Sequence, residues 1–359
     1  MRFASIQTLR ALAILSIVLT HLTLVEAKFG EGPTVLPAFL GRWLGGIDLF
    51  FIISGLMMVT TSRGKFHSGK QALSFIYKRL VRIYPLYWIY SSVALAAFLI
   101  HPAWWVTNAP ENWGDLLVSF LLLPSRLLPL LNVAWMLTHL IYFYFIFALF
   151  LWILKEELLP AGLTLWALLV LAGQVYFNFG SSHSPTLNLL LHPYTLEFIT
   201  GCFLGIFSHR HWHRRGLICL AGGIILYGAA LFLLNLVPPQ GVINSWNRVL
   251  HFAPPAVLIL YGAITLERQG RLSLPPGFNR LGDASYSIYL SHILVLSAAG
   301  SLWTLFPTPA SFHHVLVLMA MVGGVIFIGR LSFRYLESPL LKKFRDWGKN
   351  DLQFGSSVE

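Results

Sequence analysis

Residues 8–25 read TLRALAILSIVLTHLTLV. At about 1.5 Å per residue, an α-helix of this length crosses nearly all of a hydrocarbon layer of about 30 Å. The stretch is apolar except for one arginine, one histidine and a few hydroxyl side chains. It therefore predicts a transmembrane helix that carries two costly side chains, and similar apolar runs recur to the end of the chain.

The composition of the whole chain agrees with this interpretation. Of its 359 residues, 56% are hydrophobic and 11% are charged, whereas soluble domains carry about 25% charged residues. We therefore predict an all-α, polytopic transmembrane helix bundle whose first partner is the lipid bilayer. The net charge of +11 comes from short scattered clusters, so no nucleic acid is expected as a partner.

About ten spans are predicted from hydropathy. They are Thr8–Val25, Gly45–Thr61, Ile83–Ile100, Val133–Leu154, Leu158–Phe177, Leu189–Phe207, Gly216–Leu236, Arg248–Leu266, Ala284–Leu302 and His314–Phe333. The piece Leu116–Leu131 contains Pro124 and Pro129, which break helices. We expect it to be re-entrant or interfacial.

Basic residues between these spans predict the orientation. Lys28, Arg42, Arg126 and Arg248 fall on one side, and the larger clusters fall on the other. By the positive-inside rule both termini are cytoplasmic, with a membrane domain at 1–340 and a short basic tail at 341–359. The alternative of a cleaved signal peptide is disfavoured because His21 lies inside the apolar segment.

Arg10 and His21 lie eleven residues apart, which is about 16 Å and three turns plus roughly 20° of a helix. They therefore share one face. An ionisable side chain inside a span is a candidate for function because it is expensive in lipid. A neutral imidazole at the depth of His21 is suited to act as a base or to relay a proton, although packing alone is the competing interpretation.

Other polar side chains are predicted to lie at a similar depth. Ser285, Tyr289 and His292 form a stripe in the ninth span, and Glu197 lies in the sixth span. From helix rise we expect His21, His292 and Glu197 at comparable levels. The hypothesis is that at least two of them meet at one buried centre, and the alternative is separate packing.

Several arginines are predicted to lie at the cytoplasmic mouth. Arg79 and Arg82 precede the third span, and Arg330, Arg334 and Glu337 follow an i, i+4, i+7 pattern. Guanidinium groups bind phosphates in bidentate fashion, and anchoring to anionic headgroups is the alternative. His313 and His314 are interpreted as an interfacial edge.

Five motifs in order resemble those of the acyltransferase-3 family, whose members O-acylate sugars in bacterial glycans. They are Arg10 and His21 as Arg-x10-His, GIDLFFIISG at 46–55, RLVRIYP at 79–85, LGDASYSIYLSH at 281–292 and ESP at 337–339. The resemblance covers nearly the whole chain and is compatible with ten spans. One departure is Leu140, where relatives often have a glutamate in a W-x-L-x-x-E motif; Glu197 or His139 are candidate substitutes.

The resemblance implies roles for several of these side chains, and position along the helices suggests roles for others. An acyl-CoA, most often acetyl-CoA, would be the co-substrate, contacted by arginines at the cytoplasmic side, and no metal or other cofactor is expected. Catalysis is assigned to His21 and His292, and to Glu197 from its depth alone. Acyl-CoA binding is assigned to Arg10, Arg79 and Arg82, and to Arg330 from its position inward of Glu337. The acceptor side or structural support is assigned to Asp48, Ser54, Ser285, Tyr286, Tyr289 and Glu337.

The function predicted from the sequence is O-acyl transfer, most often of acetyl, to a hydroxyl of a saccharide or lipid-linked saccharide. His21 either deprotonates that hydroxyl or carries the acyl group. The rival is a transporter of a small anion or glycan that uses the same buried groups. We expect a multi-pass protein of the bacterial inner membrane; the oligomeric state, including a homo-oligomer, is open.

Overall fold

The computed structural model describes residues 3–41, 45–100, 112–178, 184–211, 215–236, 245–306 and 311–351. Within these ranges the chain is helical and contains no β-strand. The α-helices are α1 (Ala4–Phe29), α2 (Gly46–Ser62), α3 (Gly69–Ile100), α4 (Trp113–Phe120), α5 (Trp135–Ile153), α6 (Leu159–Tyr176), α7 (Pro185–Leu190), α8 (Tyr194–His211), α9 (Gly216–Leu236), α10 (Ser245–Arg268), α11 (Pro276–Asp283), α12 (Ser285–Trp303), α13 (Ser311–Ser332) and α14 (Ser338–Asp351).

Ten helical stretches of the described chain are long and apolar enough to cross a membrane. This confirms the predicted all-α architecture and a multi-pass membrane protein. The cytoplasmic placement of the termini and the domain boundary at residue 340 stay predictions.

The third span begins much earlier than hydropathy predicted. Helix α3 starts at Gly69 rather than at Ile83 and continues through Pro85. Hydropathy detects only the apolar part of a helix, and the preceding turns are rich in charge. Arg79 and Arg82 therefore lie well inside α3 and not at its start.

The sixth span is interrupted, although a continuous helix was predicted. Helices α7 and α8 are separated at residues 191–193. Pro193 lacks the N–H that a continuing helix would need, and it disfavours the helical conformation at the residue before it.

The segment after α3 does not form a spanning helix, as predicted. Helix α4 is only 8 residues long. The side chains of Tyr84, Tyr87 and Trp88 each donate a hydrogen bond to a main-chain carbonyl of residues 119–121, at 2.7–3.0 Å. The last carbonyls of a helix have no partner within the helix, so these bonds satisfy the carboxyl end of α4. The aromatic run that follows Arg82 supplies these donors.

The chain divides into two compact units. The first unit comprises Met1–Ser54 with Phe207–Phe333, and the second comprises Gly55–Ile206 with Arg334–Glu359. In the first unit α1 packs against α10, α11, α12 and α13. In the second unit α3 packs against α5 and α14, and aromatic rings fill the interior, with Phe143 and Phe198 stacked at 4.7 Å between centroids.

The amino end of α1 is held by a carboxylate from α10. Glu267 accepts hydrogen bonds from the backbone N–H groups of Ala4 at 2.7 Å and Ser5 at 2.9 Å, and from the Ser5 hydroxyl. The first N–H groups of a helix have no partner within the helix, and a negative charge there also suits the helix dipole. Glu267 therefore ties the start of α1 to the end of α10.

Glycines allow two helix contacts of α1 to be unusually close. A Cβ added at Gly282 would overlap the main-chain carbonyl of Gln7, and one added at Gly46 would overlap the carbonyl of Ala13. Small residues at helix interfaces permit such approach inside membranes. Gly282 belongs to the motif at 281–292, so part of that motif is explained by packing.

The predicted stripe of Arg330, Arg334 and Glu337 does not form one face. Residues Phe333–Glu337 are π-helical, which changes the hydrogen-bond spacing from i+4 to i+5 and shifts the phase of the helix. Arg330 and Arg334 are exposed, whereas Glu337 is buried.

We expect Gly282→Ala to destabilise the protein and Gly277→Ala to leave it nearly unchanged. Both glycines lie on α11, but a Cβ at Gly277 would meet no atom within 4 Å. Overpacking a tight contact costs about 1–3 kcal/mol, and an unhindered surface change costs less than about 0.5 kcal/mol. Thermal unfolding of the detergent-solubilised variants measures the difference. Equal melting temperatures would show that Gly282 is not at a tight interface.

Candidate functional site

Arg10 is anchored to the first residue of α12. Its Nη2 donates to the Ser285 hydroxyl at 2.8 Å, and its Nη1 donates to Oε1 of Gln7 at 3.4 Å. Ser285 is fully buried and Arg10 is half-buried. A cation from the first motif and a hydroxyl from the fourth are thus joined.

The rings of His21 and His292 are in contact further along α1 and α12. Their centroids are 4.9 Å apart, with an interplanar angle of 68°. His292 is fully buried and His21 is half-buried. Helix rise places these two side chains at comparable depth, and the structure brings them together; their catalytic role stays a prediction.

Hydrogen bonds define which ring nitrogen of each histidine carries a proton. Nδ1 of His21 lies 2.9 Å from the carbonyl oxygen of Ile17, and Nδ1 of His292 lies 2.6 Å from that of Tyr289. A carbonyl oxygen only accepts, so each Nδ1 carries hydrogen and each neutral ring presents its lone pair at Nε2. Nε2 of His292 has no hydrogen-bond partner among the described residues. The contact therefore brings together two imidazole rings that each carry a lone pair at Nε2.

A cavity next to His21 is lined by the arginine of a buried ion pair. Ser16, Thr20 and His21 line the cavity together with Arg248. Nη2 of Arg248 lies 2.5 Å from Oδ2 of Asp48, and the side chains are 4% and 0% exposed. Arg248 was predicted to begin the eighth span and to be one of the surface charges that mark the connections. That interpretation is wrong, because Arg248 lies inside α10 and is buried.

A second buried pair joins α1 to α13, nearer the carboxyl end of α1 than His21. Glu26 accepts hydrogen bonds from the backbone N–H groups of Val35 at 2.6 Å and Leu36 at 3.0 Å, and it lies 3.4 Å from Nδ1 of His314. His314 is 1% exposed and packs on the ring of Trp303. It is therefore not the interfacial edge that the sequence suggested. Sequence reasoning assigned Glu26 no role.

The other predicted residues of the first unit are Tyr289, Ser54, Tyr286 and Arg330, and they differ in burial. Tyr289 is buried, with its ring 5.9 Å from that of His292. Ser54 and Tyr286 are half-buried, and Arg330 is exposed.

The remaining predicted residues belong to the second unit. Arg79 lies over the rings of Phe75 and Tyr144 and is hydrogen-bonded to Thr61 at 3.3 Å. Arg82 is half-buried, whereas Glu197 in the first turn of α8 and Glu337 are buried. The proposed meeting of Glu197 with the two histidines stays a prediction.

The segment in which this sequence departs from the W-x-L-x-x-E motif also belongs to the second unit. Leu140 is buried, and its neighbour His139 has its ring 4.6 Å from that of His192 and 5.7 Å from that of Tyr194. An apolar side chain therefore packs where relatives often have a glutamate. In the described ranges, no three His, Cys, Asp or Glu side chains are grouped as metal ligands.

Comparison with known proteins agrees with the motifs. The family described as "Acyltransferase domain" matches residues 3–330. The chain is 32% identical over 311 residues to the "Exopolysaccharide production protein ExoZ" of Rhizobium meliloti (strain 1021), covering 84% of this chain and 90% of that protein. It is 26% identical over 331 residues to "Nodulation protein 10" of Rhizobium leguminosarum bv. viciae, covering 83% of this chain and 82% of that protein.

No solved structure matches the chain. The family match spans both units and includes α1 with its arginine and histidine. The chain belongs to the acyltransferase-3 family and is an integral membrane acyltransferase.

Proposed function

We propose that this acyltransferase transfers an acetyl group from acyl-CoA to a hydroxyl of a saccharide or lipid-linked saccharide in the bacterial inner membrane. The relatives named for exopolysaccharide production and for nodulation support a glycan acceptor. The observation that best supports the proposal is the contact between His21 and His292. Acyl transfer needs a base that takes the proton of the acceptor hydroxyl, and a neutral imidazole is such a base.

The chemical step follows from the tautomer of His21. The lone pair at Nε2 accepts the proton of the acceptor hydroxyl while the hydroxyl oxygen attacks the thioester carbonyl carbon. A C–O bond forms, and the carbonyl π electrons move onto its oxygen. When they return, the C–S bond breaks, and the thiolate of CoA leaves and takes the proton from His21.

His292 supports this role through its position. Its buried ring lies against that of His21 and fixes the orientation of the base. Placing base, donor and acceptor together is a large part of catalysis for an activated thioester.

Arg10 is proposed to bind phosphate groups of the donor. It lies about 16 Å from His21 along α1, so a donor bound there would extend its pantetheine arm toward the imidazole. The assignment of Arg79, Arg82 and Arg330 to the same ligand stays a prediction, as does the catalytic role of Glu197.

The direct experiment incubates purified protein in proteoliposomes with radiolabelled acetyl-CoA and polysaccharide from an exopolysaccharide-producing bacterium. Label in the polysaccharide and one equivalent of free CoA thiol are expected. Label that never leaves CoA with any glycan would refute the proposed function. Uptake of unmodified glycan into the vesicles would instead support the transporter alternative.

We expect His21→Ala to lower the rate of transfer by about 10²–10⁴-fold, because general base catalysis contributes about that factor. His292→Ala should lower it less, since the base itself remains. His67→Asn is the control, because His67 is exposed, lies outside the predicted spans and has a positive φ that asparagine tolerates. Wild-type rates for His21→Ala would exclude the base role, and label bound covalently to wild-type protein without acceptor would favour an acyl-enzyme.

We expect Arg10→Gln to weaken CoA binding by about tenfold or more, because a hydrogen bond to a charged group contributes about 1.5–3 kcal/mol. Ser285→Ala should weaken it by a smaller factor, since it removes only the partner that orients Arg10. Calorimetry with CoA and with 3′-dephospho-CoA measures both effects. Arg271→Gln, at an exposed position after α10, is the control; equal losses in this variant and in Arg10→Gln would show that binding depends on general surface charge.

A further inference from the structure

The cavity beside His21 places a fixed positive charge next to the proposed base. Arg248 and His21 both line it, with Gly45 and Gly46 at its wall. The cavity lies at the amino end of α10, away from the end where Glu267 holds the start of α1. It is thus separated along α1 from the Arg10 end, where we place the donor phosphates.

The burial of Arg248 argues against a role as a membrane-surface anchor. An anchoring arginine extends to the headgroups, whereas Arg248 is 3% exposed. Asp48 is fully buried, and its Oδ1 has no hydrogen-bond partner among the described residues. The contact of Oδ2 with Nη2 places this carboxylate where it holds the guanidinium in one orientation.

A guanidinium held in this way suits a developing negative charge. It carries five N–H donors, so binding a carboxylate and a ligand at the same time is within its chemistry. Preorganised donors aimed at the oxygen that becomes negative usually provide a large part of catalysis. The acyl-transfer step described above creates such an oxygen next to the base.

We propose that Arg248, positioned by Asp48, binds the carbonyl oxygen of the acyl group during transfer in the cavity that it shares with His21. The inference rests on the proposed function and adds a residue to it. As the acceptor oxygen attacks, the C=O π electrons move onto the carbonyl oxygen, and Arg248 donates a hydrogen bond to it. When the C–S bond breaks, the carbonyl re-forms and the hydrogen bond weakens.

The competing explanation is that the ion pair only ties α2 to α10. Arg248→Gln alone does not separate the two, since it also leaves Asp48 as a buried, unpaired carboxylate. The double variant Asp48→Asn with Arg248→Gln removes both charges and keeps a pair of hydrogen-bonding side chains. If the ion pair has only a structural role, this neutral pair should largely restore stability and activity. If the reaction needs the positive charge of Arg248, the neutral pair does not restore activity.

The experiment measures acetyl transfer to the glycan, CoA binding and thermal stability for the wild type, Arg248→Gln and the double variant. We expect the double variant to melt close to the wild type, to bind CoA within about twofold, and to have kcat lowered by about 10²–10³-fold, which is typical for loss of one such donor. A stable double variant with wild-type kcat would overturn the proposal. A raised KM with unchanged kcat would also overturn it, since it would indicate that Arg248 binds the acceptor alone.

Arg248→Lys provides the test if neutral variants fail to fold. It keeps the charge opposite Asp48 but lacks the planar fork, so kcat should fall by about tenfold or more at unchanged CoA affinity. Wild-type kcat in Arg248→Lys would contradict the proposal. If the wild type itself transfers no label to any glycan, the proposed function fails; an active wild type with fully active Arg248 variants refutes the role of Arg248 alone.

Discussion

The packing of α1 is the constraint on which the first unit depends. Arg10, His21 and Glu26 meet partners on α12 and α13 at three successive levels. Each of these groups is costly inside a bilayer, and a slip by one residue turns a helix by about 100°. Sliding or rotating α1 would therefore break all three contacts together. The fixed register of α1 brings the two imidazoles into contact.

This register also divides the first unit into chemically different ends. Near the start of α1 a guanidinium and a hydroxyl meet, which suits the binding of phosphates. Further along, His21 and Arg248 line a cavity, and each has a buried partner behind it, His292 and Asp48 respectively. The thioester donor that we propose is long and has its charge at one end and its reactive carbon at the other. The spacing of polar groups along α1 matches that distribution.

Much of the fold was predictable because lipid imposes a simple rule on length and hydropathy. The spans, the non-spanning piece at Leu116–Leu131 and the common face of Arg10 and His21 follow from local sequence. The early start of α3 was not predictable from hydropathy, because the first turns of this helix are charged. Arg248 and Glu26 were missed for another reason. Each pairs with a residue hundreds of positions away, and a charge at the end of a span looks like a topology signal.

The ion pair of Asp48 with Arg248 shows the limit of sequence reasoning most clearly. Both side chains lie near the ends of predicted spans, where charges are ordinary. Only their burial in contact distinguishes them from surface groups. Similarly, Gly282 belongs to a recognisable motif, but the position requires glycine because the backbone of α1 lies directly against it.

The polar contacts of α1 have a consequence for how the protein is made. Arg10 and Ser285 are 275 positions apart, and Glu26 and His314 are 288 apart. Synthesis proceeds from the amino end, so α1 is made well before its partners on α12 and α13. Its three costly side chains must therefore be accommodated, by water, headgroups or the insertion machinery, until α12 and α13 arrive. The contacts of α1 thus form only after α12 and α13 have been made, and a chain truncated before α12 would leave α1 without the contacts that offset its polar groups in lipid.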